Sequence, residues 1–310
     1  MSLSLQILLS GLAAGGIYGL LAVGHTLVYR LIGIVHFAFG DLVGLAMFVA
    51  LLVVAGRGSL FAAHVGAGRF LLALAVGVVV CAVASAATYL AAIAPHAASG
   101  SIIGWAAASL AVAFTVHAAL QALFSRTSYV FPDPIPFDRV GRGGFVHLGG
   151  ASLEVRSLFV LGVALLLAGG TAAVLRGTRF GRGLGAIAAD VDGARFVGVP
   201  VERFVGAAFA LVGAVAAVAA VVAAPSGPFG PTTGTLYGVK GLVAAVAVRF
   251  RSPWDAFAAG IALGVVEAAI SGLEVSGTQL GPQYRDVLPL LALLVLLGLR
   301  RRPFVGASER

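Results

Sequence analysis

Charge is what this sequence has least of. Only 10% of its 310 residues are Asp, Glu, Lys or Arg, against about 25% in ordinary soluble domains, while 60% are hydrophobic and the mean hydropathy is +1.06. Burying a core cannot account for that excess of apolar surface, so the composition is that of an integral membrane protein. Cysteine is nearly absent too. Cys81 stands alone in an apolar run, which excludes an intrachain disulfide and any multi-cysteine metal site and reads as a small buried hydrophobe. The usual catalytic signatures are missing: there is no HExxH, no GxSxG and no Cys/His cluster, so an intramembrane enzyme lacks its residues. The nearest approach to a phosphate loop, GPTTGTLYGVKG at 230–241, never spells GxxxxGK[ST] and follows no strand. Nothing in the sequence calls for a cofactor or a metal.

What it has instead is long uncharged runs. About 20 apolar residues cross a hydrocarbon core of about 30 Å, and lipid offers no water to an open backbone, so such runs read as helices. The first, Leu3 to Tyr29, lacks a basic n-region and is too long for a signal h-region, and it is expected to span. Candidate spans are 3–29, 38–55, 70–93, 102–124, 157–175, 204–224, 236–248, 255–273 and 287–299. The expected fold is therefore an all-α polytopic bundle of about eight or nine transmembrane helices, one transmembrane domain over 1–310. The short segment 236–248 reads either as a full span or as a broken, re-entrant one. Basic residues favour cytoplasmic loops. With the N-terminus outside, twelve arginines fall in the cytoplasm and seven outside, and four of those seven lie in or beside one long loop, 126–156. This favours N-terminus outside and C-terminus inside. The net charge of +8 belongs to that rule and gives little support to nucleic-acid binding.

Where charge does gather, it marks a place. RFGRGLGAIAADVDGARFVGVPVERF, 179–204, holds seven charged side chains within the loop 176–203 that this topology puts in the cytoplasm. Leu184, Ile187, Ala188, Val191 and Arg195 fall on one face of a predicted helix, and Gly198 and Pro200 supply stop signals. A short helix with an apolar stripe, outside the bilayer, either meets a partner or lies in the headgroup layer of membrane lipid.

Three stretches carry a family likeness. The loop has Ala189, Asp190, Ala194, Gly198 and Val199; the opening, GLAAGGIYGLLAVGHTLVYRLIGIVHFAFGDL, has Gly11, Gly15, Tyr18, Leu20, Ala22, Gly24, Tyr29, Gly33, Phe37, Ala38, Gly40 and Asp41; and GIALGVVEAAIS has Gly260, Gly264 and Glu267. Together they resemble the permease subunit of branched-chain amino acid ABC transporters, over nearly the whole chain. The resemblance implies a multi-pass protein of the bacterial inner membrane with no chemistry of its own. It implies cytoplasmic ABC ATPase subunits, a second permease, homologous or identical, and an external substrate-binding protein as partners. The loop becomes a coupling helix in a cleft of the ATPase, with Arg182, Leu184, Ile187, Asp190, Val191, Arg195 and Gly198 as the coupling residues. The solute would be a branched-chain or other hydrophobic amino acid, or a related small solute such as urea or a short amide. Two departures bear on substrate range: His36 and Phe39 stand where the family commonly has Asn and His, and VRFRSPWDAF, 248–257, replaces a Gly-rich loop. A self-contained secondary transporter or channel is the alternative, and the cytoplasmic helix discriminates against it.

Tyr18, His36, Phe37, Gly40, Asp41, Lys240 and Glu267 are the candidates for the translocation pathway or its packing. His25 and His117 are expected to make interhelical contacts. Lys240 and Glu267 sit in apolar spans, where a charge costs about 2.5 to 3.5 kcal/mol on insertion scales. Lys240 is nine residues before Arg249 and Glu267 twelve beyond Asp255, depths of ~13.5 and ~18 Å at about 1.5 Å per residue, so long side chains on antiparallel neighbours can pair. In the other reading Lys240 snorkels to the outer interface. Small-residue faces in GLAAGG, GVKG and GIALG predict close helix approach. In the loop 126–156, three prolines predict an extended segment, and FVHLGGASLEV predicts a hairpin turning at Gly149 and Gly150. That hairpin and residues 225–235 are expected on the outer side, as a docking platform or a covering flap.

Overall fold

The computed structural model describes residues 2–55, 65–97, 102–124, 126–134, 137, 144–148, 151–271, 274–275, 278–279, 287, 291 and 295. Within them run α1 (Ser2–Ile32), α2 (Phe39–Ala55), α3 (Ala67–Ala87), α4 (Ala94–Ala97), α5 (Ile102–Leu123), α6 (Val155–Gly177), α7 (Arg179–Ala189), α8 (Val191–Phe196), α9 (Val201–Ala223), α10 (Thr233–Ala247) and α11 (Pro253–Ser271). A π-helical turn, Thr88–Ile93, carries α3 into α4 without interruption. Eight expected spans thus coincide with helices, and the ninth, 287–299, falls almost wholly outside the described residues. The chain is an all-helical polytopic membrane protein, with 6 helices long and apolar enough to cross a membrane among the described residues. α2, with 17 residues, and α10, with 15, are shorter.

Successive long helices reverse direction, which sorts their ends into two sets. At one end, called here the arginine end, α1 and α6 finish, α7 and α8 lie, and α11 begins. Arg30 Nη1 donates to the Arg251 carbonyl at 3.4 Å there. At the opposite end Tyr129 and Phe229 exchange two backbone hydrogen bonds, of 2.8 and 3.0 Å, and their rings enclose Phe48 with Phe124. The predicted hairpin is present at this end. β1 (Phe145–Leu148) pairs antiparallel with β2 (Ala151–Glu154), and Leu148 opposite Ala151 leaves room for a two-residue turn. The turn itself, 149–150, lies outside the described residues. A second short antiparallel pair, β3 (Glu274–Val275) with β4 (Thr278–Gln279), had no sequence signal that separated it from an end of span.

α1 is the centre of the bundle. Its membrane-length window is 89% buried, against 17% for the window in α5. Lipid tails are as apolar as leucine, so helices in a bilayer associate through close packing instead of through exclusion of water. α1 presents Gly11, Gly15 and Gly19 along one face, and α11 answers with Gly260 and Gly264. A Cβ on Gly15 would stand 2.7 Å from Ile261 Cα, and one on Gly11 2.7 Å from Val265 Cα. The same device joins α2 to α10, where Gly40 and Gly44 meet Gly234 and Gly238, and a Cβ on Gly40 would lie 2.9 Å from the Gly234 carbonyl oxygen. The α10–α11 turn is unusual. Arg249 and Phe250 both have positive φ, 57° and 53°, a conformation that costs about 1–3 kcal/mol per non-glycine residue. It is held because Phe250 is buried and stacks on Tyr29 at 4.1 Å, while its N–H donates to the Ala245 carbonyl at 2.9 Å.

Gly15→Ala and Gly264→Ala are expected to lower the thermal stability of the purified protein by about 1–3 kcal/mol through overpacking. Gly162→Ala, whose Cβ meets nothing within 4 Å, is expected to be neutral or stabilising by up to about 1 kcal/mol. Equal melting temperatures for all three in detergent would refute the close approach.

Candidate functional site

The helix break between α1 and α2 brings polar groups inside. Gly33, with φ 73°, closes α1 in the left-handed conformation that glycine tolerates, and the chain turns back so that Phe39 reaches the level of Gly24. The Phe37 N–H donates to Ser109 Oγ of α5 at 2.8 Å, and His36 Nδ1 lies 3.5 Å from the same hydroxyl. His36 is fully buried between Phe39 and Phe209, with ring centroids 6.1 and 5.1 Å away. Phe37 itself is 42% exposed. Gly40 is a backbone contact of α10 and carries no polar role. His25 Nε2 sits 3.2 Å from the Gly238 carbonyl oxygen, an interhelical contact between α1 and α10.

One turn further, Asp41 is buried and accepts a 2.6 Å hydrogen bond from Thr235 Oγ1 of α10. His117 Nδ1 of α5 lies 3.3 Å from the same carboxylate oxygen, with its side chain 25% exposed, and its Nε2 is 3.0 Å from Gln121 Nε2. Three helices therefore converge on one carboxylate. A buried carboxylate without such donors is costly in a membrane interior, so the cluster fixes α2, α5 and α10 at one depth.

A second cluster lies on the other face of α10. Lys240 Nζ donates to Glu267 Oε1 of α11 at 2.9 Å and to Tyr18 Oη of α1 at 3.2 Å. The ammonium also stands 5.1 Å from the centre of the Tyr18 ring, within cation–π range, and Tyr237 packs edge-on to Tyr18 at 5.8 Å. All four side chains come from helices joined by glycine faces. Snorkelling is excluded by this geometry, because Lys240 is buried.

At the arginine end, Thr178 caps α7 by accepting from the Gly181 N–H at 3.1 Å. Two expectations fail here. The single helix from Leu184 to Arg195 is broken at Asp190, which has an extended backbone and accepts the Asp192 N–H at 3.0 Å, capping α8. An Asp side chain competes for backbone donors in this way, and a cap there outweighs continuation. Leu184 and Ile187, read as partner-facing, are 2% and 1% exposed; they pack onto the chain's own bundle, since an apolar stripe at a membrane-protein surface is satisfied by its nearest helices. Val191 is half-buried, whereas Arg182, Asp190, Asp192, Arg195 and Gly198 are exposed. Arg195 bonds Glu202 at 3.0 Å and Asp192 at 3.5 Å. α8 ends in a Schellman arrangement: Gly198 has φ 82°, Val199 N donates to the Ala194 carbonyl at 2.9 Å, and Gly198 N to that of Arg195 at 2.9 Å. This closure projects Phe196 and Val197, which are 92% and 78% exposed. Helical periodicity marks neither residue, and the apolar pair directly before a Gly-x-Pro stop is their only local signal. Ser109, Thr235 and Gln121 are unmarked as well, being single polar residues in small-residue runs.

Among the described residues no group of three or more His, Cys, Asp or Glu is placed to hold a metal ion. Bundled apolar helices of membrane-spanning length, with an ion pair buried among them and an exposed apolar knuckle at one end, make this a multi-pass membrane protein, and its relatives place it in the transport class. The chain belongs to the family described as branched-chain amino acid transport system / permease component, whose profile matches residues 7–297. It is similar to the high-affinity branched-chain amino acid transport system permease protein BraD of Pseudomonas aeruginosa, 27% identical over 98% of this chain and 96% of BraD. It is similar also to the permease proteins LivH of Escherichia coli K12, 27% identical, and of Salmonella typhimurium, 26% identical, over the same shares of each chain.

Removing one member of a buried ion pair leaves an uncompensated charge and costs about 3–5 kcal/mol, whereas removing both is far milder. Lys240→Met is therefore expected to lower the melting temperature in detergent sharply, and Lys240→Met with Glu267→Gln to recover most of the loss. A double variant no more stable than Lys240→Met would show that the two side chains act independently.

Proposed function

We propose that this chain is the translocation subunit of an ATP-driven, binding-protein-dependent importer for branched-chain or other hydrophobic amino acids or related small solutes. The observation that carries the reading is the exposed knuckle Phe196–Val197, held out by the Asp190 cap and the Gly198 closure on a helix pair outside the bundle. Apolar side chains projecting from a rigid, charged loop want a protein partner. Membership of the permease family supports a separate cytoplasmic ATPase as that partner, with Asp190, Asp192 and Arg195 as polar groups of the same short helix beside the knuckle and Arg182 as a further exposed charge on α7. Leu184 and Ile187 transmit, instead of touching: they couple α7 to the ends of α1 and α6.

In this reading the arginine end is cytoplasmic, the N-terminus is outside, and the membrane is the bacterial inner membrane. The β1–β2 hairpin with the Tyr129–Phe229 bridge forms the outer platform for a substrate-binding protein. A second permease completes the pathway. The partly exposed His117, tied to Asp41 and Thr235, and the exposed Phe37 are the polar and apolar candidates for the pathway lining.

Phe196→Asp with Val197→Asp is expected to weaken ATPase association by about 2 kcal/mol or more, roughly 30-fold, and to abolish uptake while the chain stays at normal levels in the membrane. Ile187→Asp is expected to destabilise the chain itself even when no ATPase is present. Retention of the ATPase and of uptake in the double variant would overturn the coupling role. In a Cys81→Ser background, cysteine at 149 should react with an impermeant thiol reagent from outside and cysteine at 192 should not. The reverse pattern would invert the orientation.

A further inference from the structure

The arginine end of the bundle contains a groove of about 280 Å³ between α1, α6, α7 and the start of α11. Its accessible walls are apolar, built by side chains such as Ala172, Leu175, Pro253 and Trp254 over a floor of buried Leu31 and Leu184. At the mouth stand two guanidinium groups, Arg30 in the last turn of α1 and Arg176 in the last turn of α6. Both are exposed, one donor of Arg30 goes to the Arg251 carbonyl, and no acidic side chain lines the groove among the described residues.

We propose that this groove binds an anionic phospholipid, with its phosphate between Arg30 and Arg176 and part of one acyl chain along Ala172, Leu175 and Trp254. The charges and the walls each demand part of that ligand. A small soluble anion would meet the guanidinium groups, which favour phosphate in bidentate geometry, but would leave the apolar walls in water. A zwitterionic or neutral lipid would fill the walls and leave two cations without a net counter-charge. The volume lies just under the about 300–1,000 Å³ of typical small-ligand pockets, enough for a chain segment. Basic pockets between membrane helices at the level of the headgroups hold anionic lipid in this manner, and Trp254, 42% exposed, stands where tryptophan favours the membrane interface. Ala188 of α7 lines the groove and is exposed, so the bound lipid buttresses the helix that leads to Phe196 and Val197.

Trp254 reports directly on the groove. The protein has two tryptophans, and Trp105→Phe leaves Trp254 as the single fluorophore; the buried Trp105 Nε1 has no hydrogen-bond partner, so the exchange removes no bond. The full-length single-tryptophan protein is reconstituted in vesicles of unlabelled phosphatidylcholine containing, at equal mole fraction, brominated phosphatidylglycerol or brominated phosphatidylcholine. Trp254 is expected to be quenched with a roughly 30-fold preference for the anionic lipid, the scale that two basic residues give at a membrane surface. Arg30→Gln with Arg176→Gln should bring the two lipids close to parity, each single variant should lose part of the preference, and Arg179→Gln, an exposed arginine that does not line the groove, should leave it intact. The single variants carry the test where the double variant does not reconstitute. Equal quenching by both lipids overturns the proposal, as does a preference that survives both arginine substitutions or is lost equally in Arg179→Gln. No quenching by either lipid overturns it too, because protein would then fill the groove. Relief of the quenching by inorganic phosphate at matched phosphate concentration overturns it as well, since the headgroup charge alone would be recognised.

Discussion

Backbone touching backbone is the contact on which this bundle depends. In water, apolar side chains drive helices together; in lipid they gain nothing by exchanging a hydrocarbon neighbour for a leucine, and association rests on dispersion at close range and on polar links. The glycine rows of α1, α2, α10 and α11 supply the close range. Once Gly15 meets Ile261 and Gly40 meets Gly234, the longer side chains around them have no freedom of register. The polar links then follow from the packing.

Three of these links converge on α10. His25 reaches the Gly238 carbonyl, Asp41 takes the Thr235 hydroxyl, and Lys240 joins Glu267 and Tyr18. The shortest of the described spans therefore carries a polar attachment to each of α1, α2 and α11. Its few residues could not hold a position by apolar contact alone, and charge buried among low-dielectric neighbours supplies the specificity that length does not.

How much of this was legible follows from which forces are local. Span positions were, since the need to satisfy a backbone in lipid is written in uncharged run length, and the hairpin was, since the Gly149–Gly150 pair is local turn chemistry. The proximity of Lys240 and Glu267 was legible through depth counting, a one-dimensional argument that antiparallel neighbours permit. The meeting of Asp41, His117 and Thr235 was not, because the three lie on helices far apart in sequence and no depth argument orders three faces at once. The stripe Leu184–Ile187 misled for a physical reason. Amphipathic spacing says that a face needs cover, and it is silent on whether the cover is another protein or the chain's own helix ends. Asp190 could have warned of the break, as a strong cap in mid-pattern, but helical periodicity on either side of it masked the signal.

The left-handed pair Arg249–Phe250 has a mechanical meaning. A turn pinned by a buried ring on Tyr29 and by a hydrogen bond to Ala245 cannot serve as a hinge, since rotating either residue would unstack the ring and break the bond together. α10 and α11 are thus welded to each other, and both are fastened to α1. Parting those three helices would have to break the Lys240–Glu267 pair, the Tyr29–Phe250 stack and the glycine contacts of α1 with α11.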